Sequence, residues 1–335
     1  QSAGKRMAAR TAWIRRAVAT ARFARDARQC RRGGIRSRLV GSTRFFSDQA
    51  GEKKGGGANS SGDDNSTTTH FGFQSIPEGL KKSMVGQVFT GVASNYDVMN
   101  DAMSMGVHRL WKDYFISMVQ PVHNTKMLDV AGGTGDIAFR AIDYVKRNEK
   151  MDMKSCVTVC DINAAMLEEG KKKVLELGYL NSTGDDQVTF VQGDAEKLPF
   201  EDNTFDVYTI AFGLRNVTSI PDALKEAHRV LKPGGRFFCL EFSRVENPVI
   251  GPVYDMYSFN VIPSMGELIA QNRDAYQYLV ESIRKFPPQQ ELRKIMIQNG
   301  FVNAEFENLT FGVVAIHSGF KPTTTTTTTS TKVSA

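Results

Sequence analysis

Residues 128–136 read Leu-Asp-Val-Ala-Gly-Gly-Thr-Gly-Asp, and a helical pattern follows them directly. Glycine has no Cβ, so this run lets the backbone turn sharply and approach a ligand closely. The residues just before it, 126–130, have the apolar character of a buried strand. The segment therefore predicts a strand, a glycine loop and a helix, an arrangement that builds the ligand crevice of doubly wound sheets.

Short apolar runs alternate with helical patterns on both sides of this loop. Strands are predicted at 126–130, 156–160, 187–191, 205–211, 236–242, 303–307 and 312–318. Helices are predicted at 135–147, 163–176, 221–231 and 289–299, with two more over 80–119. This alternation predicts an α/β fold with a mostly parallel sheet.

Composition limits the classes of protein that the chain can be. It has 335 residues, of which 41% are hydrophobic and 23% are charged, as in an ordinary globular protein. No run approaches about 18 consecutive apolar residues, so we predict no transmembrane helix. The 4 cysteines include no Cys-x-x-Cys pair, and no His or Cys cluster has ligand spacing. We therefore expect neither a disulfide scaffold nor a metal site.

Basic residues are concentrated at the amino terminus. Residues 1–47 contain 12 Arg and 1 Lys against 1 acid, a net charge of +12, so the rest of the chain carries +6 − 12 = −6. An acidic body argues against nucleic acid as a partner. An Arg-rich leader that is almost free of acids predicts a mitochondrial transit peptide over 1–46, with cleavage after Phe46. The alternative is a basic arm that binds RNA or anionic lipid.

Low-complexity segments bound the folded body. Residues 47–69 have no hydrophobic periodicity and predict a disordered linker. Seven consecutive threonines at 323–329 predict a disordered tail over 322–335. The folded domain is therefore predicted over 70–321, and within it 243–288 forms an insertion rich in aromatic residues and proline.

Acidic residues stand at the ends of three successive predicted strands, at Asp129, Asp161 and Asp194. Asp161 is placed to accept both ribose hydroxyls of a nucleoside, and Asp194 to accept an adenine amine. Asp129 precedes the glycine turn, where it would repel a pyrophosphate but suit the ammonium of a methionine moiety. Residues 133–138 also match the dinucleotide fingerprint, so a nicotinamide-dependent dehydrogenase stays open, as does a purely structural turn.

The order of these motifs resembles class I S-adenosylmethionine-dependent methyltransferases. The segments that carry the likeness are LDVAGGTGD (128–136), VCDIN (159–163), VQGDAEKLPF (191–200), FDVYTIAFGLRNV (205–217) and HRVLKPGGRFFCLEFS (228–243). Further segments resemble the ubiquinone/menaquinone C-methyltransferase family, at 70–73, 88–101, 105–112, 212–217, 276–284 and 312–320. The likeness covers essentially 70–321.

The resemblance implies a Rossmann-like, mostly parallel seven-stranded sheet with a reversed last strand and helices on both faces. It implies C-methylation of a polyprenylated methoxy-benzoquinol in ubiquinone biosynthesis, with S-adenosylmethionine as cofactor. We predict these cofactor-binding residues: Asp129, Gly132, Thr134, Asp161, Asp194 and Ala195.

With its leader, the chain resembles the mitochondrial branch of the family. That branch implies the mitochondrial matrix and peripheral contact with the matrix side of the inner membrane, since a long polyprenyl tail cannot sit in water. It also implies an assembly with other ubiquinone-biosynthesis enzymes and admits a homodimer. The alternatives are demethylmenaquinone methylation, an NAD-dependent dehydrogenase and a non-catalytic scaffold that binds the methyl donor.

Two residues after the fourth predicted core strand are the catalytic candidates. Arg215 is placed to anchor the quinol oxygen and stabilise its anion, and Asn216 to orient the same oxygen. The alternative for Arg215 is a salt bridge at the sheet edge. His108 is a conceivable base, but we expect a structural role for it, and we expect His228 to be solvated on the polar side of a helix.

The insertion at 243–288 has two interpretations. Its aromatic and Met side chains suit a channel for a polyprenyl tail. The alternative is a helical cap with an ordinary core. The residues concerned are Tyr254, Met256, Tyr257, Phe259, Val261, Ile262, Met265, Leu268 and Ile269.

Overall fold

A seven-stranded sheet is the centre of the computed structural model, which describes residues 68–92, 96–150, 157–179 and 187–323. Its order is β5-β4-β3-β6-β7-β9-β8, and only β9 runs antiparallel to its neighbours. The strands are β3 (Met127–Val130), β4 (Val157–Asp161), β5 (Val188–Gln192), β6 (Phe205–Ala211), β7 (Leu231–Phe242), β8 (Val302–Leu309) and β9 (Val314–Phe320). The prediction of a Rossmann-like sheet with a reversed last strand is confirmed.

A two-stranded hairpin, β1 (Thr68–Phe71) with β2 (Gln74–Pro77), precedes the helices. The helices are α1 (Glu78–Val92), α2 (Tyr96–Ser104), α3 (Val107–Val119), α4 (Asp136–Glu149), α5 (Ala164–Leu177), α6 (Ile220–Val230), α7 (Ile250–Met256), α8 (Ile262–Ala270), α9 (Arg273–Lys285) and α10 (Gln289–Gln298). A π-helical segment, Tyr257–Val261, joins α7 to α8.

The core lies on both faces of the sheet, because side chains alternate between the faces along each strand. One hydrophobic cluster joins Met127 and Val207 to buried side chains of α3, α4 and α5. The other joins Leu128 and Val130 to α6 and α10. Asp129 therefore lies on the face of Met127, toward α3 and α4. A strand that is covered on both faces is typical of parallel sheets.

Three local predictions differ from the structure. The region 80–119 holds three helices rather than two, since the backbone is left-handed at Met105 and Gly106 and ends α2 there. The first strand begins at Thr68, inside the predicted linker. His228 is not solvated: its ring packs edge-on against Phe301 at 5.4 Å between centroids, and burial lowers its pKa.

The predicted transit peptide over 1–46, and most of the linker and tail, lie outside the described residues. Among the described helices, none is both long and apolar enough to cross a bilayer.

Gly170 provides a test of the packing beneath the glycine loop. It lies inside α5, and a Cβ at this position would stand 2.5 Å from Phe190 Cε1 and 3.0 Å from the Thr134 carbonyl oxygen. Gly170→Ala is therefore expected to destabilise the fold by about 1–3 kcal/mol, the usual cost of overpacking. Urea-induced unfolding measures the change.

Gly86→Ala is the matched control, because Gly86 also lies inside a helix but has no neighbouring atom within 4 Å of the point where a Cβ would stand. This variant should be more stable than the natural chain by about 0.5–1 kcal/mol. Equal stabilisation by both substitutions would show that α5 does not approach the loop as closely as described.

Candidate functional site

The carboxyl ends of β3, β4 and β6 meet at one edge of the sheet, since these strands are parallel neighbours. The edge opens into a cavity of about 120 Å³, which we call the glycine-loop cavity. Its walls come from the loop 131–134, from 161–163 after β4, and from α1, α3 and the residues after β6. Four of the predicted cofactor-binding residues line it: Asp129, Gly132, Thr134 and Asp161.

Asp161 fixes the geometry of the glycine loop. One carboxylate oxygen accepts a hydrogen bond from the backbone N–H of Gly133 at 2.9 Å, and the other accepts from the N–H of Asn163 at 2.8 Å. Burial raises the pKa of this carboxyl, although the backbone hydrogen bonds oppose the rise. Asn163 in turn caps α5 by accepting from the N–H groups of Ala165 and Met166.

Asp129 is a fully buried carboxyl at the floor of the cavity. Its Oδ1 accepts a hydrogen bond from the Thr209 hydroxyl at 2.8 Å, whereas its Oδ2 has no hydrogen-bond partner in the described structure. Burial raises the pKa of Asp129 to about 7. A buried acceptor without a partner is costly, so this atom points to a ligand that donates to it.

Gly132 keeps the space next to Asp129 open. A Cβ at this position would lie 2.6 Å from Asp129 Oδ2 and 3.0 Å from the Asp129 carbonyl oxygen. Only glycine therefore leaves a cradle beside the unpartnered oxygen. The set fits S-adenosylmethionine, with Asp129 for an ammonium group, Asp161 for ribose hydroxyls, and Phe89 and Met166 as apolar wall.

The structure does not bring Asp194 and Ala195 to the glycine-loop cavity. Lys82 of α1 lies 2.5 Å from Asp194 Oδ2, and Asp194 Oδ1 accepts a hydrogen bond from the backbone N–H of Glu196 at 3.0 Å. Both oxygens that were predicted to meet an adenine amine therefore have partners within the protein. Ala195 packs instead against the cluster on the α6 and α10 face of the sheet.

A second and larger cavity, of about 310 Å³, lies beside the first, and we call it the aromatic cavity. Most of its wall is aromatic or aliphatic, and its polar and charged side chains are few. These are Asn100, Ser104, His108, Lys112, Arg215 and Thr310. A cavity with this balance suits an apolar ligand that a small number of polar groups orient.

Phe89, Lys112 and Phe212 line both cavities, so the two spaces share a wall. Lys112 is buried and pairs with Asp136 at 2.8 Å, which helps to lower the pKa of Asp136 to about 2. Phe212 has a φ of 59°, a conformation that is rare and strained for a bulky residue. Strain of this kind clusters at functional sites.

Arg215 lies in the wall of the aromatic cavity. It also makes a buried ion pair, as expected from the alternative prediction of a salt bridge at the sheet edge. Its Nη1 is 2.8 Å from Glu241 Oε1, and it also donates to the Phe212 carbonyl oxygen. Both side chains are almost fully buried, and burial raises the pKa of Glu241. Arg215 Nε has no hydrogen-bond partner in the described structure. The guanidinium is therefore anchored at one end and keeps a spare donor.

Asn216 lines the glycine-loop cavity, although its neighbour Arg215 lines the other. Its side-chain oxygen accepts a hydrogen bond from the Tyr278 hydroxyl at 3.0 Å. Tyr278 stacks on Phe71 with 4.2 Å between ring centroids, and burial raises its pKa to about 12. A fixed Tyr278 thus holds Asn216 in one orientation between the cavities.

Sequence reasoning singled out neither Lys112 nor Tyr278. It named His108 as a conceivable base with a structural role preferred, and the structure places His108 in the wall of the aromatic cavity. One available signal was spacing, since His108 and Lys112 are four residues apart and so share a face of α3. The side chains of 96–99, where α2 begins, lie outside the described ones.

The insertion is helical and also contributes to the aromatic cavity. Tyr254, Tyr257 and Ile262 line it, together with residues of α9. The other six of the nine predicted channel residues do not line it, and two of these, Met256 and Leu268, are 63% and 84% exposed. The cap and the channel lining are thus formed by different faces of one helical run.

Comparison with known proteins identifies the relatives of this chain. The model of the ubiE/COQ5 methyltransferase family matches residues 78–321. Proteins named mitochondrial 2-methoxy-6-polyprenyl-1,4-benzoquinol methylase are 52% identical in Homo sapiens over 280 residues, and 51% identical in Dictyostelium discoideum over 271 residues. These alignments span 76% of this chain and 84% and 86% of the relatives.

Among solved structures, the cyclase SpnF has a TM-score of 0.50 to this chain at 17% identity. The match covers 71% of this chain and 95% of SpnF. At this identity, the likeness concerns the fold alone.

The ion pair of Arg215 provides a test of the site's electrostatics. Glu241→Gln removes the negative charge and leaves a buried guanidinium without compensation, which is expected to destabilise the fold by about 3–5 kcal/mol. Urea-induced unfolding at neutral pH measures this loss.

Glu267→Gln is the control, since the Glu267–Arg273 pair is exposed and should be worth at most about 1 kcal/mol. Comparable small losses in both variants would contradict the buried pairing of Arg215 with Glu241.

Proposed function

Because the chain belongs to the ubiE/COQ5 methyltransferase family, we propose that it transfers a methyl group from S-adenosylmethionine to a ring carbon of a polyprenylated methoxy-benzoquinol. The proposal places the reaction in ubiquinone biosynthesis, in accord with the names of the relatives that are about half identical to this chain.

One observation carries the proposal: two chemically different cavities share the wall formed by Phe89, Lys112 and Phe212. Three aspartates line the glycine-loop cavity: Asp136 pairs with Lys112, and Asp129 and Asp161 suit a cationic cofactor that contains a nucleoside. The aromatic cavity has apolar walls and a few polar groups, which suits a prenylated ring. Methyl transfer requires the two ligands to meet, and a shared wall allows this.

S-adenosylmethionine supplies a methyl group on a positively charged sulfur, which an electron-rich ring carbon attacks. The protein contributes position, since holding two reactants in line is worth roughly 7–11 kcal/mol of the barrier. In this arrangement Asp129 binds the ammonium group, Asp161 binds the ribose, and Thr134 and the backbone of Gly132 line the turn.

Arg215 and Asn216 act on the quinol. The unpartnered Nε of Arg215 donates to the quinol oxygen and stabilises negative charge that develops there. Asn216, held by Tyr278, orients the same oxygen from the side of the methyl donor. The aromatic and aliphatic side chains of α7, α9 and the π-helical segment enclose the first part of the polyprenyl tail.

The remaining parts of the proposal concern location. Residues 1–46 direct the chain to the mitochondrial matrix, and the residues from 47 to the first strand at Thr68 link them to a methyltransferase domain that extends to residue 321. The domain contacts the matrix side of the inner membrane, where a polyprenyl quinol is found, and works in an assembly with other ubiquinone-biosynthesis enzymes or as a homodimer. The high identity to relatives named as mitochondrial supports this location.

Two alternatives are weaker on specific grounds. A dinucleotide would place a pyrophosphate at the glycine turn, next to the buried carboxyl of Asp129, and the like charges would repel. A non-catalytic scaffold would have no use for a second cavity that holds Arg215 and Lys112. Demethylmenaquinone methylation uses the same chemistry and differs only in its substrate, a naphthoquinol, so a comparison of substrates distinguishes it from the proposed reaction.

The decisive experiment is a titration of the full chain with S-adenosylmethionine and with NADH, followed by incubation with a short-tail methoxy-benzoquinol under reducing conditions. Mass spectrometry and NMR should find a product with one additional carbon-bound methyl group. A short-tail naphthoquinol serves as the competing substrate. Binding of NADH alone, or methylation of the naphthoquinol in preference, would overturn the proposal.

Asp129→Asn is expected to change cofactor affinity and protein stability in opposite directions. Loss of the carboxylate should weaken S-adenosylmethionine binding at least about tenfold, the value of one hydrogen bond to a charged group. In the natural chain this affinity should decline below about pH 7, since the carboxyl takes up a proton there. Isothermal titration calorimetry at pH 5.5 and pH 8 measures both effects.

The same variant should melt at a higher temperature than the natural chain at pH 8. Burial raises the folded-state pKa of Asp129 above its unfolded value, so the folded state binds more protons and loses stability as the pH rises from about 4 to about 7. Asparagine removes this cost and keeps a partner for Thr209. Asp222→Asn, on the exposed side of α6, is the control for a surface carboxyl. Normal cofactor affinity in Asp129→Asn would contradict the assignment.

Arg215→Lys tests the role in the chemical step. Lysine retains the positive charge that Glu241 requires. Its single nitrogen cannot replace both Arg215 Nη1, which binds Glu241, and Arg215 Nε, which is proposed to bind the quinol. We expect kcat to fall by about 10²–10³, as for loss of one donor to a developing anion, with an unchanged Kd for S-adenosylmethionine. Arg236→Lys, a substitution on β7 outside both cavities, should retain full activity. Weakened cofactor binding or unfolding of Arg215→Lys would assign the arginine to structure instead.

A further inference from the structure

Among the described residues that line the aromatic cavity, one group can accept a proton at neutral pH, the imidazole of His108. The described lining of this cavity includes no Asp or Glu. The ionisable groups among these residues are the imidazole of His108, the ammonium of Lys112, the guanidinium of Arg215 and four tyrosine phenols. Ammonium, guanidinium and phenol groups all carry their protons at pH 7, so none of them acts as a base without first losing one.

Hydrogen bonds fix which nitrogen of His108 is basic. The Ser104 hydroxyl has one hydrogen, which it donates to the Asn100 carbonyl oxygen at 2.6 Å. Ser104 Oγ must therefore accept from His108 Nδ1, which lies 2.8 Å away. Nδ1 then carries the proton of the neutral ring, and Nε2 carries the lone pair. The only carboxylate near Nε2 in the described structure is Asp101, at 3.8 Å.

Burial, more than the surrounding charges, keeps His108 neutral before the reaction. Lys112 and Arg109 of α3 disfavour the imidazolium, whereas Asp101 of α2 and Asp136 of α4 favour it. Burial is the largest influence and lowers the pKa to about 4. The ring is therefore unprotonated throughout the neutral range.

We propose that His108 is the general base of the methyl transfer and accepts at Nε2 the proton that the quinol loses. This inference rests on the proposed function, because it assumes a quinol ring in the aromatic cavity. His108 and Arg215 both line the aromatic cavity, so one bound ring is within the reach of the same cavity wall that holds both side chains.

The reaction balances with one proton transferred to His108. The quinol O–H bond breaks, its proton binds Nε2, and the electron pair stays on oxygen. The phenolate ring carbon then forms a bond to the methyl group as the carbon–sulfur bond breaks, and sulfur keeps that pair. The ring is now a neutral ketone, and its enolisation moves the ring hydrogen to the ketone oxygen and restores aromaticity. The imidazolium finally releases its proton to solvent.

A weakly basic imidazole is sufficient in this site. Transfer of the proton creates an imidazolium and a phenolate side by side, and their attraction is strong between apolar walls. Lys112 and Arg215 stabilise the phenolate further. Asp101 Oδ1, 3.8 Å from the same Nε2, also supports the imidazolium.

The test compares two substitutions of the full chain, His108→Asn and His108→Ala, in single-turnover methylation of a short-tail methoxy-benzoquinol. Asparagine keeps an N–H donor for Ser104 but has no basic nitrogen. Both variants should lose about 10²–10⁴-fold in rate, the usual contribution of a general base. Thermal unfolding and the Kd for S-adenosylmethionine should stay unchanged in His108→Asn. Added imidazole should restore the rate of His108→Ala in proportion to its unprotonated concentration.

His123→Asn is the matched control, since His123 pairs with Glu149 outside both cavities and should be fully active when substituted. A natural rate in His108→Asn would overturn the proposal. So would a lost rate that imidazole does not restore, accompanied by a lower unfolding temperature, because that pattern assigns His108 to packing. If the natural chain itself does not methylate the quinol, the proposed function fails and this inference fails with it.

Discussion

The central strand β3 is buried on both faces, and the site is a consequence of this burial. Met127, Leu128 and Val130 have at most 1% of their surface exposed, so helices must cover both sides of the sheet and leave only its edge open. Asp129 is the one acid in this strand, and it is tolerated because Thr209 of the neighbouring strand donates to it. Its second oxygen has no such partner, and the glycine loop leaves space beside that oxygen. The space beside Asp129 Oδ2 thus lies at the edge of the sheet, where the helices no longer cover both faces.

The helices that precede the sheet complete the walls of both cavities. Phe89 of α1 and Lys112 of α3 line both cavities, so the amino-terminal helices form part of the wall between the two cavities. Lys112 is fixed by Asp136 at the start of α4, which is also the last residue of the glycine-loop motif. Movement of α3 would therefore disturb both binding sites together. Both cavities are built from segments that lie far apart in the sequence.

The sequence predicted the repeating part of the fold, because strands and helices bury regular patterns of apolar side chains. Every predicted core strand exists, and the segment at 128–136 forms the predicted strand, glycine loop and helix start beside the glycine-loop cavity. What could not be predicted depends on partners that are distant in the chain. Asp194 follows its strand as expected, yet Lys82 holds it, 112 residues away. The solvated position expected for His228 failed because Phe301 covers its ring. For Arg215, the ion pair was anticipated as an alternative, but its partner Glu241 lies on β7, and only the packed sheet brings the two together.

The charges of the two cavities are opposite, and this bears on how the reaction is driven. In the proposed complex, the cationic methyl donor lies near Asp129 and Asp161, and the phenolate lies near Arg215 and Lys112. Methyl transfer from a cation to an anion cancels both charges. Apolar walls stabilise charged reactants less than water does, so they favour the transfer. Too strong an attraction for the phenolate would oppose this gain by stabilising the reactant. The pairing of Arg215 with Glu241, and of Lys112 with Asp136, limits that attraction. Both cations are therefore able to orient the quinol oxygen while most of their charge is already compensated.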